Sequence, residues 1–184
     1  MNTTTHSYHL SLRLLHWLMA IIIFALFAVG WYMVQLDYYD PLYQLLPWWH
    51  KSFGITLMML LVLRLFSRWR THIPKPLENH TTLEKKASVV VKFLFYLLIL
   101  LLGISGYLIS TAQGEAISVF DVFEIPSMLA LTPQQVDQVG FFHEILAWTT
   151  LALACVHAVA ALKHHFIDKD QTLLRMIRKQ NNKV

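Results

Sequence analysis

The stretch "HEILAWTTLALACVH", which runs from His143 to His157, decides how the chain can fold. Between its two histidines only Glu144, Thr149 and Thr150 are polar, so the segment is an apolar helix candidate. Fourteen positions make almost four helical turns, so both histidines face nearly the same direction, about 21 Å apart along the axis. The stretch therefore predicts a membrane-spanning helix with an imidazole near each end.

The composition of the whole chain indicates an integral membrane protein. Hydrophobic residues make up 56% of the 184 positions and charged residues only 14%, whereas soluble domains average about 25% charged residues. The length predicts a single domain over 1–184. The single cysteine, Cys155, excludes an internal disulfide and a cysteine-ligated zinc or iron–sulfur site. We interpret Cys155 as a small buried hydrophobic residue.

Four apolar segments predict four transmembrane helices, because roughly 20 apolar residues cross a bilayer core. Three runs without Asp, Glu, Lys or Arg cover 14–36, 93–114 and 145–162, and a shorter one covers 52–63. The short run extends if His50, Lys51 and Arg64 lie at its ends, where basic side chains can reach the interface. The sequence predicts an all-α four-helix bundle with helices at about 12–35, 47–67, 91–112 and 140–163.

The connecting segments differ sharply in charge. Seven acids and a single basic residue, Lys51, lie within 31–51 and 112–144. The basic residues concentrate instead between helices two and three and after helix four. The positive-inside rule then places both termini, the middle loop and the tail 164–184 in the cytoplasm. The pI of about 9.2 follows from this topology and does not require nucleic-acid binding.

Two segments outside the four spans also carry predictions. The outer segment 112–140 predicts a turn and then a short covering helix that begins at Thr132, with Pro133 at its first position. The tail predicts a short interfacial helix with Leu173, Leu174 and Ile177 on one side.

Four histidines lie within or beside the predicted spans, and they match in pairs by depth. Helix one begins inside, so His16 is shallow on the inner side, at the level of His157. Helix two begins outside, so His50 is shallow on the outer side, at the level of His143. One such histidine could simply hydrogen-bond between helices, but four that match in pairs indicate a functional site.

Two imidazoles at each depth suit a bis-histidine haem better than zinc, which prefers four protein ligands. The chain has no C-x-x-C-H motif, so the haem would be held noncovalently as haem b. We predict two haem b groups, with His16, His50, His143 and His157 as ligands of the iron. Arg13, Lys51 and Lys163 are candidate propionate contacts. Charge that only sets the topology remains the alternative for them.

The sequence also resembles the prokaryotic cytochrome b561 family. The matching stretches are "LLHW", "HKSFGI", "LLGISGYLIS" and "FHE…H…LKHHFIDKDQTLLRM", and they span nearly the whole chain. The resemblance implies a four-helix bundle with two b haems, ligated by His16 and His157 inside and by His50 and His143 outside. Many members have a histidine near the start of helix three, where alignment places Lys92, which puts any quinone or proton role there in doubt.

The resemblance implies electron transfer between the outer compartment and the membrane quinone pool. One branch of the family is a superoxide oxidase that reduces ubiquinone, although an acidic outer side is unfavourable for collecting an anion. A haem-bearing membrane anchor subunit for a periplasmic partner is a further hypothesis, and a haem-free transporter or assembly factor is another. The "GISGYLISTA" stretch is similar to proteins associated with a periplasmic isoprenoid-binding partner, and an acidic surface could dock a basic one.

Overall fold

The computed structural model describes residues 7–178, so His6, Lys179 and Lys183 lie outside the described part of the predicted domain and tail. Four long helices account for most of it: α1 (Leu10–Met33), α2 (Leu45–Arg70), α3 (Thr82–Ser110) and α4 (Pro133–Phe166). A short helix, α5 (Leu174–Ile177), follows in the tail, as the sequence predicts. Two short strands, β1 (Ile117–Val119) and β2 (Phe123–Ile125), lie between α3 and α4.

All four long helices are long and apolar enough to cross a bilayer, with mean hydropathies between 1.4 and 2.5 over their most apolar windows. Only 6–17% of each window is buried inside the protein. Apolar surface this extensive needs an apolar surrounding, such as a bilayer core. A helix can lie there because it satisfies its backbone hydrogen bonds internally, without water. The fold is therefore the predicted membrane four-helix bundle, and Cys155 is exposed on α4 rather than buried.

Two helices begin well before their predicted boundaries because capping residues extend them. Thr81 and Glu84 form a capping box at the start of α3, and Thr132 and Gln135 form another at the start of α4. The separate covering helix predicted at Thr132 is therefore wrong, because that turn is the beginning of α4. Its apolar continuation provides packing that a detached helix would lack.

A small antiparallel hairpin closes the end of the bundle where α1 and α2 are joined. Strand β1 pairs with β2 in a register that sets Ile117 opposite Ile125. At its tip Phe120 and Asp121 have positive φ angles of 50° and 56°. The Phe120 N–H donates to Ser52 Oγ at 3.1 Å, and Trp48 Nε1 donates to Asp121 Oδ1 at 3.3 Å. The hairpin is thereby fixed on α2.

The bundle consists of two helix pairs, because α1 packs mainly against α2 and α3 mainly against α4. The buried cluster lies where α1, α2 and α3 meet, and it contains Met19, Ile22, Leu57, Leu61 and Ile99. By contrast, α1 and α4 approach each other at few positions. One of them is an edge-to-face contact between Phe27 and Trp148, whose ring centres are 4.8 Å apart. The two helix pairs therefore stay apart along much of the α4 side.

The tail returns to the first turns of α1. The Tyr8 N–H donates to the Arg175 carbonyl at 3.3 Å, and Trp17 Nε1 donates to the Met176 carbonyl at 3.1 Å. The chain on both sides of the four spans therefore lies at one end of the bundle, together with the α2–α3 loop. We call this end the tail end and the opposite one the hairpin end.

Candidate functional site

The four predicted histidines come together as two pairs, each joining α4 to a helix of the other half of the bundle. At the tail end, the ring centres of His16 on α1 and His157 on α4 are 6.2 Å apart, with planes at 83°. Trp17 lies edge-on to His16 at 5.4 Å, and Phe95 on α3 lies edge-on to His157 at 5.6 Å. Aromatic rings thus flank the tail-end pair on two sides.

The second pair lies at the hairpin end. The ring centres of His50 on α2 and His143 on α4 are 6.3 Å apart, with planes at 70°. Because α4 is one continuous helix, His143 and His157 lie about 21 Å apart along its axis. The structure therefore brings His16 close to His157 and His50 close to His143, and their role as haem ligands stays a prediction.

Ser105 on α3 lies within hydrogen-bond distance of Nδ1 of His143. Its hydroxyl donates to the Leu101 carbonyl at 2.8 Å, so its oxygen can accept from His143 Nδ1, which is also 2.8 Å away. A hydroxyl has one proton, so this arrangement requires the proton of the imidazole to be on Nδ1. The Nε2 lone pair of His143 then remains available to a metal, as in sites where a hydrogen bond orients a histidine ligand.

Two glycines let neighbouring helices approach the hairpin-end imidazoles. A Cβ placed on Gly30 of α1 would be 3.0 Å from Cε1 of His50. A Cβ placed on Gly106 of α3 would be 3.3 Å from Cε1 of His143. Both distances are shorter than an ordinary carbon–carbon contact of about 3.5–4.0 Å. Because these glycines have no side chain, α1 can pack directly against the ring of His50 and α3 against the ring of His143.

Each of the two pairs has the spacing expected if the nitrogens of its two imidazoles held one iron ion. Metal–imidazole bonds of about 2 Å on opposite sides of one ion place the ring centres roughly 6 Å apart. Both observed spacings, 6.2 and 6.3 Å, agree with that value. Both pairs also bridge the two halves of the bundle, where α4 stays apart from α1. A haem held by either histidine pair would need room between the two halves of the bundle.

The predicted propionate contacts occupy different surroundings. Arg13 donates to the Ile177 carbonyl. Lys163 Nζ lies 2.8 Å from Asp168 Oδ2 and 3.6 Å from Glu84 Oε1. Lys51 is part-buried next to His50. The propionate role of Arg13, Lys51 and Lys163 stays a prediction.

Two basic residues, Arg64 and Lys92, lie beside the tail-end pair. From the sequence, Arg64 is interpreted only as a charge at a helix end and Lys92 only as a departure from the family pattern. Arg64 on α2 donates to the Leu12 carbonyl at 3.1 Å and acts electrostatically on His16. Lys92 on α3 acts in the same way on His157. The available signal was their position, because both lie within otherwise apolar helices.

Outside the two histidine pairs, the tail end contains one buried acid, Asp170. The Asp170 carboxylate is almost fully buried and accepts from the Thr172 N–H at 2.7 Å. Burial raises its pKa, but hydrogen bonds from Thr172 and His80 and the nearby His164 outweigh that effect and lower the pKa to about 2. Asp170 therefore remains ionised and ties the tail to the α2–α3 loop.

These features define a class: a four-span helical membrane protein whose paired histidines suit haem iron. A family model described as prokaryotic cytochrome b561 matches residues 7–179. The chain belongs to the prokaryotic cytochrome b561 family, whose members are membrane haem proteins of electron transport.

Individual relatives cover nearly the same length as this chain. "Cytochrome b561 homolog 2" of Escherichia coli (strain K12) is 47% identical over 167 residues, which is 91% of this chain and 89% of that protein. "Probable superoxide oxidase CybB" of Yersinia pestis is 28% identical over 170 residues, 90% and 93% of the two chains. "Cytochrome b561 homolog 1" of Escherichia coli (strain K12) is 27% identical over 167 residues, 89% and 92% of the two chains.

Proposed function

We propose that this chain is a dihaem b-type cytochrome that carries electrons across the bacterial inner membrane. Electrons would pass between a periplasmic donor or acceptor and the quinone pool, with ubiquinone as the candidate quinone. The observation that carries the proposal is the presence of two histidine pairs, one near each end of the bundle, with ring centres 6.2 and 6.3 Å apart. One pair would serve each half of the membrane.

In this proposal His16 and His157 hold one haem b, and His50 and His143 hold the other. Haem iron supplies the one-electron chemistry when it is bound, and the protein supplies ligands, orientation and a dry surrounding. Ser105 keeps His143 in the tautomer whose Nε2 can bind metal. The Phe27–Trp148 contact lies between the two levels on α1 and α4.

The proposed orientation places the tail end in the cytoplasm. The α2–α3 loop, the adjoining ends of α2 and α3 and the tail lie at this end, and these segments carry most of the basic residues. The hairpin end carries Asp37, Asp121, Glu124 and Asp137, all exposed. A reporter that works only in the cytoplasm should be active when it is fused after residue 178. Activity of a reporter that works only in the periplasm, fused at the same position, would contradict this orientation.

The ligand assignment is tested by haem quantitation with redox difference spectra. We expect two haems per chain in the wild type and one after His16→Ala, His50→Ala, His143→Ala or His157→Ala. The two single variants of one pair should lose the same spectral component, because each removes one ligand of the same iron. His72→Ala is the matched control, since His72 is exposed in the α2–α3 loop. Normal haem content after His143→Ala and His157→Ala are combined would refute the assignment.

A second candidate is a superoxide:ubiquinone oxidoreductase, favoured by the similarity to a relative named as a probable superoxide oxidase. The reaction would oxidise superoxide at the hairpin end and reduce quinone. The exposed acids there repel an anion, which would keep association slow and sensitive to salt. Stopped-flow mixing with superoxide is the test. Haem reduction no faster than spontaneous dismutation would exclude this activity.

A third candidate is a haem-bearing membrane anchor for a periplasmic partner, such as an electron-transfer or isoprenoid-binding protein. The same exposed acids favour it, because they could dock a basic surface. Cross-linking through Glu124→Cys in intact cells would capture such a partner. Recovery of the uncross-linked chain alone, with full quinone reduction by a small donor, would exclude an obligatory anchor role.

A further inference from the structure

Three side chains outside both histidine pairs converge at the tail end. We call His80, His164 and Asp170 the tail-end triad; they come from the α2–α3 loop, the last turn of α4 and the turn after it. Asp170 Oδ2 lies 2.9 Å from His80 Nε2 and 2.9 Å from His164 Nδ1. The three potential ligand atoms all lie within 4.8 Å of one another. The side chain of Asp170 is only 3% exposed, and both imidazoles are 14% exposed.

The geometry around His164 does not suit a simple hydrogen bond. Its Nδ1 lies 2.9 Å from Asp170 Oδ2 and 3.0 Å from Asp168 Oδ2, yet it is buried and makes no hydrogen bond of acceptable angle within the described residues. Two carboxylate oxygens thus flank the nitrogen to the side of its lone-pair direction. Lys169, between the two acids, has a φ of 52°. This left-handed turn directs both carboxylates towards one imidazole.

Such an arrangement suits a cation in front of the nitrogen. Two ligand atoms about 3 Å apart, each about 2 Å from the same ion, subtend an angle of roughly 90–95° at it. Adjacent ligands at nearly right angles, with two imidazoles and carboxylate oxygen, are typical of divalent first-row transition metals. The ion would also offset the repulsion between Asp168 and Asp170.

We propose that the tail-end triad binds one divalent first-row transition-metal ion. The site is separate from the haem sites, because it uses none of the four paired histidines. It joins the α2–α3 loop, α4 and the tail at one point. The tail then contacts α1 through the Met176 carbonyl and Trp17, whose ring lies against His16. Metal binding therefore fixes the segment that supports the tail-end histidine pair.

Zinc uptake tests the site directly, with Zn²⁺ as the probe. Chelator-treated, haem-loaded protein in detergent is dialysed against buffered Zn²⁺, and zinc per chain is measured by atomic emission. We expect one zinc per wild-type chain and at least a tenfold weaker affinity in Asp170→Asn and His164→Gln. The controls His72→Gln and Asp137→Asn change an exposed histidine and an exposed acid elsewhere, so they should bind as the wild type does.

A second measurement reports on the tail. Trypsin cleavage after the exposed Lys169 should slow several-fold when Zn²⁺ is added to the wild type and stay unchanged in Asp170→Asn. Wild-type zinc uptake no greater than that of Asp170→Asn would overturn the proposal and leave the triad as a hydrogen-bonded clasp. Because Asp170 lies outside both histidine pairs, this comparison holds whether or not two haems bind.

Discussion

Replacing Ser105 with alanine removes one hydrogen bond behind one predicted haem ligand. The side chain is buried, and its oxygen lies 2.8 Å from His143 Nδ1. A hydrogen bond of this kind contributes about 0.5–1.5 kcal/mol net. Loss of a partner that orients a metal ligand typically lowers metal affinity by roughly 10–100-fold. Because about 1.4 kcal/mol is a factor of ten, this energy corresponds to roughly 2–13-fold, which reaches only the lower end of that range. We therefore expect the affinity for one haem to weaken by up to about tenfold.

The same change should raise the midpoint potential of the hairpin-end haem. A hydrogen bond from Nδ1 increases the basicity of the imidazole and favours oxidised iron, so its loss favours the reduced form. Spectroelectrochemical titration should shift one of two components, and haem transfer to an apoprotein acceptor should show one faster phase. Thr149→Ala is the matched control, because within residues 7–178 its hydroxyl bonds only the Ile145 carbonyl, on the exposed side of α4. Two unshifted potentials with unchanged haem transfer would refute this reasoning.

Three further changes have separate expected results. Gly30→Ala places a Cβ 3.0 Å from Cε1 of His50 and should lower the occupancy of the hairpin-end haem. Two haems per chain in this variant would contradict the close contact between Gly30 and His50. Thr132→Ala removes the α4 capping box and should destabilise the protein by about 1 kcal/mol, measured as a lower Tm in detergent. Ser52→Ala leaves the Phe120 N–H without its acceptor, and faster hydrogen exchange across 117–125 is expected; unchanged exchange would show that other contacts hold the hairpin.

The sequence predicts the spans because each depends mainly on local composition. A run of apolar residues has few alternatives to a helix when the backbone cannot bond to water. Helical rise then orders the histidines by depth, so that His16 matches His157 and His50 matches His143 before any contact is known. The helix boundaries were less accurate, because the capping boxes at Thr81 and Thr132 extend α3 and α4 beyond their apolar cores.

Other features depend on contacts between distant parts of the chain. The hairpin strands contain three residues each, too few for a recognisable alternation, and Ser52 holds their tip from 68 positions away. His80 and Asp170 are separated by 90 positions. Cys155 was assigned to the interior by its residue type, but lies on the outward side of α4. No local pattern carries this information.

The sequence by itself determined that this is a four-span membrane protein with two levels of histidines, because apolar length and helical periodicity are local properties. Only the tertiary structure decided what surrounds those histidines. It brought Ser105 to His143 and Gly30 to His50, and it gathered the tail-end triad from three segments. The physical reason is that a bilayer imposes helices on each segment separately, whereas the rotation and separation of the helices follow from side-chain packing across the whole bundle.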